Sequence, residues 1–304
     1  MKKKILILGG GLSKERLISL ETAKQVKNAL KKKYKVKMCD LDRKFLFKVK
    51  KFKPNIIFNA LHGRFGEDGY VQSIFENQKI RYTHSGVLSS ATAMDKILSK
   101  EIFIKNNILT PNFIKYDFKK ISKNKIKKKI EKKLNFPVVI KPVSEGSSVD
   151  VFICTKKNFI KNLNKLVKYK EVLIEQYIGG REIQVAILGN KKLGAIELRP
   201  KRKFYDYKAK YTKSAKTKHL MPARLKENKY KQILHIAKKA HKVLGCKGVT
   251  RSDFKYFKNK FYLLELNTQP GMTNLSLVPE IANYCGINFE NLVEKILLDA
   301  SINR

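Results

Sequence analysis

The sequence predicts an α/β protein that opens with a small doubly wound parallel-sheet domain over residues 1–95, and three observations predict it. Short apolar runs alternate with stretches of helical period, as βαβ units require. A glycine loop, Gly9 to Gly11, joins the first run to the first helical stretch. The chain is also long enough, at 304 residues with 43% hydrophobic side chains, to bury the cores of two or three packed units.

In order, KILIL at 4–8 reads as a buried strand, and Ser13 can cap a helix reaching about Leu30. Ile18, Thr22, Val26 and Leu30 recur on one face of that helix. Lys35–Cys39 is a second strand, NIIFNAL at 55–61 a third, and 68–77 a helix. A second unit starts near Asp95, with a helix through KILSKEIFIKN that stops before Thr110-Pro111. A strongly basic helix spans about 119–134, with Ile126, Ile130 and Leu134 along one stripe. FPVVIKP (136–142) and VLIEQYI (172–178) are strands, separated by the polar loop SEGSSVD. Beyond Gly179, the strands REIQVAIL, KLGAIELRP and FYLLELN alternate with a helix at about 227–244. Residues 201–219 show no period and read as a long loop, which in a compact domain usually serves function.

Lys plus Arg number 67 against 25 Asp plus Glu, a formal net charge of +42. Such a charge could mark a polyanion partner. The lysines are spread along the whole chain, however, and no aromatic-interleaved basic motif or zinc spacing accompanies them. Compositional drift is the preferred explanation, with no specific nucleic-acid partner. Cys39, Cys154, Cys246 and Cys285 are far apart in sequence and read as small core hydrophobes of a reducing compartment. The apolar run after MKKK is too short for a signal peptide, and no stretch has the length of a membrane span. A cytoplasmic protein without membrane association is expected.

Familiar nucleotide motifs are missing. A G-x-G-x-x-G begun at Gly9 would need glycine where Lys14 stands, and no GxxxxGK[ST] occurs. The C-terminal region is more informative. Asp253 lies in RSDF, while Glu265 and Asn267 lie two apart in a hydrophobic strand and so point to one face. An unpaired carboxylate is costly to bury there, and a metal would offset that cost. Three oxygen donors suit magnesium or manganese. The loop after Lys141 has the small residues and donors of a phosphate flap. Lys96, Lys141 and Lys210 are candidate phosphate clamps, although any single lysine in this chain is weak support.

The chain resembles the D-alanine–D-alanine ligases from end to end. The segments GGGLSKERLISL, NALHGRFGEDG, YTHSGVLSSATAMDK, VVIKPVSEGSSV, FYDYKAKY, GVTRSDF and LLELNTQPGMT stand in that family's order and spacing, and PGMTNLSLVPE continues the last. The resemblance implies a two-part ATP-grasp fold of α+β character after the first domain, with parts at 96–177 and 178–304. ATP would lie between those parts, with two Mg2+ or Mn2+ ions. Lys96, Lys141 and Lys210 fall on the phosphate-contacting lysines. Glu175, Tyr177 and Ile178 fall on the adenine strand, and Glu182 on the ribose-binding acid. Asp253, Glu265 and Asn267 match the metal ligands. Glu15 matches the acid that holds the first D-alanine's ammonium, and His62 lies beside that substrate. Ser147 and Tyr211 match a hydroxyl pair that, with Glu15, ties the flap and the long loop shut. Arg251 and the backbone at Gly271 match the oxyanion pocket. Ser276 and Leu277 match the recognition site for the second D-alanine's carboxylate. A homodimer is implied as well.

Three positions depart from the family pattern. Asp150 replaces a usual glycine beside the flap and is expected to point outward. Gln176 replaces a common lysine beside the adenine. Gln269 sits at a variable position and is expected to matter little. The implied activity is ATP-dependent synthesis of D-alanyl-D-alanine for peptidoglycan. The alternative is a D-alanyl-D-lactate or D-alanyl-D-serine ligase of the same fold, against which Tyr211 argues.

Overall fold

A computed structural model describes residues 2–200 and 217–304 of the chain, as three sheets with helices packed around them. The first sheet is parallel, in the order β2-β1-β3-β4. It comprises β1 (Lys4–Gly9), β2 (Lys35–Asp40), β3 (Ile56–Asn59) and β4 (Arg81–Tyr82). β1 is central, and its side chains alternate between two covered faces. Ile5 and Ile7 pack towards Ala23 and Val26 of α1 (Arg16–Leu30). Leu6 and Leu8 pack towards α2 (Phe45–Phe52) and α3 (Tyr70–Asn77).

The expected first helix begins five residues after Gly11, at Arg16. Ser13 does not cap it. The Ser13 hydroxyl accepts from the Glu15 N–H at 3.1 Å and donates to the His62 carbonyl at 2.6 Å. The glycine loop is likewise engaged by its own chain. Gly10 N–H donates to Ser19 Oγ and Gly11 N–H to Asp40 Oδ1, both at 2.8 Å. Those amides are therefore committed, consistent with the absence of a dinucleotide fingerprint.

After α4 (Val87–Met94) and α5 (Lys96–Lys105), the second sheet is antiparallel, in the order β5-β8-β6-β7. Its strands are β5 (Phe113–Asp117), β6 (Val138–Pro142), β7 (Phe152–Cys154) and β8 (Glu171–Gln176). The basic helix, α6 (Lys123–Lys133), packs Ile126 and Ile130 on this sheet and leaves its lysines outside, with α7 (Phe159–Asn164) beside it. It starts later than its composition suggests. Asp117 first accepts the Lys119 N–H in a turn, and Ser122 then caps the helix.

The third sheet is antiparallel, in the order β11-β10-β9-β12-β13. It comprises β9 (Arg181–Leu188), β10 (Lys191–Arg199), β11 (Lys218–Leu220), β12 (Val249–Phe257) and β13 (Lys260–Asn267). Helix α8 (Glu227–Val243) covers one face with Ile233, Ala237 and Ala240. The end of the predicted long loop is thus strand, because Lys218–Leu220 pairs with β10. Two final helices, α9 (Leu277–Tyr284) and α10 (Phe289–Leu298), bring the chain back to its beginning. Val293 and Leu297 share a core with Ile5 and Val26.

Candidate active site

Two adjoining cavities lie where the three sheets meet. The first is a cleft between the second and third sheets. Lys96, Lys141, Glu175, Gln176, Tyr177, Ile178, Glu182, Asp253 and Glu265 line it. The second lies between the first and third sheets. Glu15, His62, Ser147, Arg251, Asn267 and Gly271 line it. Lys96, Glu145 and Glu265 line both, so the cavities meet at these three side chains.

The carboxylates of the third sheet arise from strand register. Asp253 on β12 lies opposite Glu265 on β13, and Arg251 lies opposite Asn267. Directly opposed residues project to the same face within about 5.5 Å of each other, so the oxygen donors converge. Arg251 forms a bidentate pair with Asp253, Nε to Oδ1 at 2.8 Å and Nη2 to Oδ2 at 3.0 Å. Lys96, one residue after its helix's Asp95 cap, reaches the Glu145 carbonyl at 2.7 Å and Glu265 at 3.7 Å. Glu182 on β9 pairs with Lys255 on β12 at 3.0 Å.

Glu175 is the point at which the structure adds most. Its carboxylate is buried and lies 2.6 Å from Lys141 Nζ and 3.0 Å from Lys100 Nζ. Burial raises its pKa, but the two ammonium charges outweigh that and hold it below the usual carboxylate range. Lys100 is fully buried. Burial lowers its pKa to about 8 against the opposing pull of Glu175, and its ammonium also donates to Thr110 Oγ1 at 2.6 Å. Sequence reasoning assigned Glu175 to the adenine strand but missed Lys100. The available signal was spacing: Lys96 and Lys100 are four apart on α5, so they share a face.

The flap closes on the first sheet. Ser147 Oγ donates to Glu15 Oε1. Room for that carboxylate comes from two glycines. A Cβ at Gly63 would stand 2.7 Å from Glu15 Oε2, and one at Gly146 would stand 2.9 Å from it. His62 is buried, with Nε2 3.0 Å from Thr22 Oγ1 and Nδ1 3.3 Å from Glu67 Oε1. From sequence Thr22 was read only as part of the first helix's packed face, and Glu67 was not singled out. Ser276 sits at the N-cap of α9, and Leu277 begins that helix, whose N-terminal amides suit a carboxylate. Ser276 Oγ accepts the Thr273 N–H at 2.9 Å and would stand 2.9 Å from a Cβ at Gly271.

Of the departures, Asp150 turns from both cavities. Lys168 at 2.8 Å and Tyr169 at 2.6 Å hold its carboxylate. Its φ of +56° is the left-handed conformation that glycine adopts freely and aspartate tolerates. Gln176 lines the first cavity. Gln269 departs from expectation, being 2% exposed and bonded through both its side chain and its backbone. Lys210, Tyr211 and most of the long loop lie outside the described residues.

Residues 102–298 match the family model described as D-ala D-ala ligase C-terminus. The chain is 64% identical over 305 residues to a D-alanine–D-alanine ligase of Pelagibacter ubique strain HTCC1062, with all of both chains covered. It is 44% identical to that of Wolbachia pipientis wMel, over 97% of this chain and 94% of the relative. The fold superposes on the D-alanine–D-alanine ligase of Bacillus anthracis complexed with ATP, with a TM-score of 0.85 and 32% identity. That match covers 98% of this chain and 97% of the other.

Proposed function

This chain belongs to the D-alanine–D-alanine ligase family, and from that premise we propose that it joins two D-alanines into D-alanyl-D-alanine, with ATP converted to ADP and phosphate. The observation that carries the reading is the meeting of the two cavities at Lys96, Glu145 and Glu265. A nucleotide in the first would bring its terminal phosphate to an amino acid in the second.

A carboxylate is a poor acyl donor, so the first D-alanine must be activated. Glu15 holds its ammonium, and His62 packs beside it. Its carboxylate oxygen attacks the γ-phosphorus as the bond to ADP breaks, giving D-alanyl phosphate. Tyr177, Ile178 and Glu182 hold the adenosine. Glu175 acts beneath them by anchoring Lys141, which with Lys96 and Lys210 neutralises the phosphates. Asp253, Glu265 and Asn267 form the donor set for two magnesium or manganese ions, which would neutralise the transferring phosphoryl group. The donor chemistry fits, since it is all oxygen from two adjacent strands.

The second D-alanine, its carboxylate at Ser276 and Leu277, presents its amine to the acyl carbon. Arg251 and the N–H at Gly271 stabilise the tetrahedral oxyanion until phosphate leaves. Ser147, bonded to Glu15, keeps water from the acyl phosphate, and Tyr211 is assigned the same role. The reaction feeds peptidoglycan synthesis in the cytoplasm, and a homodimer is the working form.

The test is magnesium-dependent phosphate release from ATP, with D-alanine alone and with D-alanine plus D-lactate or D-serine, and product masses recorded. D-alanyl-D-alanine as the main product supports the reading. A dominant depsipeptide or D-alanyl-D-serine would move the second-substrate assignment. No D-alanine-dependent release would overturn it.

A further inference from the structure

Glutamine 269 sits in the third sheet's exit loop, yet both ends of it serve other segments. Its backbone N–H donates to Asn267 Oδ1 at 2.8 Å, fixing the side chain proposed to bind metal. Its side-chain Nε2 donates to the carbonyl of Leu61, and its Oε1 accepts from Asn59 Nδ2 at 2.8 Å. Asn59, at the end of β3, is fully buried. It donates also to the Gly66 carbonyl at 3.0 Å and accepts the Leu61 N–H at 3.2 Å. Backbone partners fix the orientation of both amides. Leu61 C=O can only accept and Leu61 N–H can only donate, so neither amide can be flipped without losing a bond.

We propose that the Asn59–Gln269 amide pair is a positioning device that sets the first-amino-acid pocket in register with the phosphoryl-transfer strand. The inference rests on the functional reading above. Residues 59–67 carry His62 and Glu67 into the second cavity, and β13 carries Glu265 and Asn267 into both cavities or the second alone. The two halves come from different sheets. In-line transfer needs the attacking carboxylate and the phosphorus aligned to within roughly an ångström, and a misplacement of that size can lower the rate by about a hundredfold. A loop anchored only by apolar packing would leave this register loose. A buried amide pair with backbone partners at each end admits one setting.

The experiment compares the full-length wild type with Gln269→Met, which keeps volume and removes both side-chain bonds, and with Asn59→Ala. Steady-state kinetics for D-alanine and ATP are measured beside calorimetric binding of a non-hydrolysable ATP analogue. In Gln269→Met, kcat should fall by about ten- to a hundredfold and the KM for the first D-alanine should rise, while analogue affinity stays within about twofold. Asn59→Ala should show the same split, and the double variant should be no worse than the poorer single one. Unchanged kinetics in both single variants would overturn the inference. So would a loss of analogue affinity parallel to the loss for D-alanine, which marks a merely structural role. A wild type without D-alanine-dependent phosphate release would instead remove the functional reading, and this inference with it.

Discussion

Replacing Glu175 with Gln should destabilise the protein by an amount that shrinks as pH rises. The carboxylate is the anion between two buried ammonium groups, 2.6 Å from Lys141 and 3.0 Å from Lys100. Removing one partner of a buried pair typically costs about 3–5 kcal/mol, because the other charge is left uncompensated. Here an escape exists. Lys100 already has its pKa pushed down to about 8 by burial. At pH 7 its charged form is therefore only modestly favoured over the neutral one. In the variant Lys100 should discharge, so the loss at pH 7 should fall between about 1 and 5 kcal/mol. The sign follows from linkage. A lysine whose folded pKa lies below its unfolded value binds fewer protons when folded, so stability rises with pH between those two values. In the wild type the rise runs from about 8 to 10.5. In Glu175→Gln it starts lower, so the gap between the two proteins narrows from pH 7 to 9. Urea unfolding of both proteins at the two pH values measures this. A variant within about 1 kcal/mol of wild type at pH 7, or a gap independent of pH, would refute the triad as an ionic unit.

Arg251→Ala should lower kcat by about a hundred- to a thousandfold with an unchanged circular dichroism spectrum, since it removes stabilisation present only in the transition state; normal turnover would sink the oxyanion assignment. Glu265→Ala should abolish magnesium-dependent phosphate release, and an unaltered magnesium titration would refute that ligand. Raising ionic strength from about 0.01 to 0.15 M shortens the screening length from about 30 to 8 Å. It should therefore lower kcat/KM for anionic ATP more than for zwitterionic D-alanine, and equal salt slopes would show that the protein's positive field plays no part in ATP capture.

The buried strands were readable because both of their neighbours are apolar: KILIL and FPVVIKP leave no other low-energy placement. Several helices were not. Phe45–Phe52 buries only Phe45 and Val49 among its lysines, so its period is diluted. Val87–Met94 consists largely of small residues, which carry little hydrophobic pattern. The shared face of Glu265 and Asn267 was legible because strand spacing alone dictates it, whereas Asp253 joins them through the β12–β13 register. Lys100 was invisible for the opposite reason. In a chain with 67 basic residues, a buried lysine is distinguished only by its partners, and these are Glu175 on β8 and Thr110. Gln269 was misjudged for the same cause, since its importance lies in Asn59 and Leu61, some two hundred residues away in sequence.

The net charge of +42 also takes on a different meaning once the acids are located. The chain has 25 acidic residues. Seven of them line the two cavities: Glu15, Glu67, Glu145, Glu175, Glu182, Asp253 and Glu265. Against these stand Lys96, Lys141, Lys255 and Arg251 among the described lining residues. Four positive charges and seven negative ones make the lining acidic by three, within a strongly basic protein. The lysine excess therefore belongs to the outer surface, where charges are solvated and screened, and it supplies at most a long-range attraction. The interior of the site uses its scarce carboxylates at short range, where lower dielectric makes each one count. Two such carboxylates, Glu15 and Glu175, are held by specific partners rather than by the general field. Drift towards lysine on the surface is thus tolerated because the chemistry depends on local pairs that the net charge does not reach.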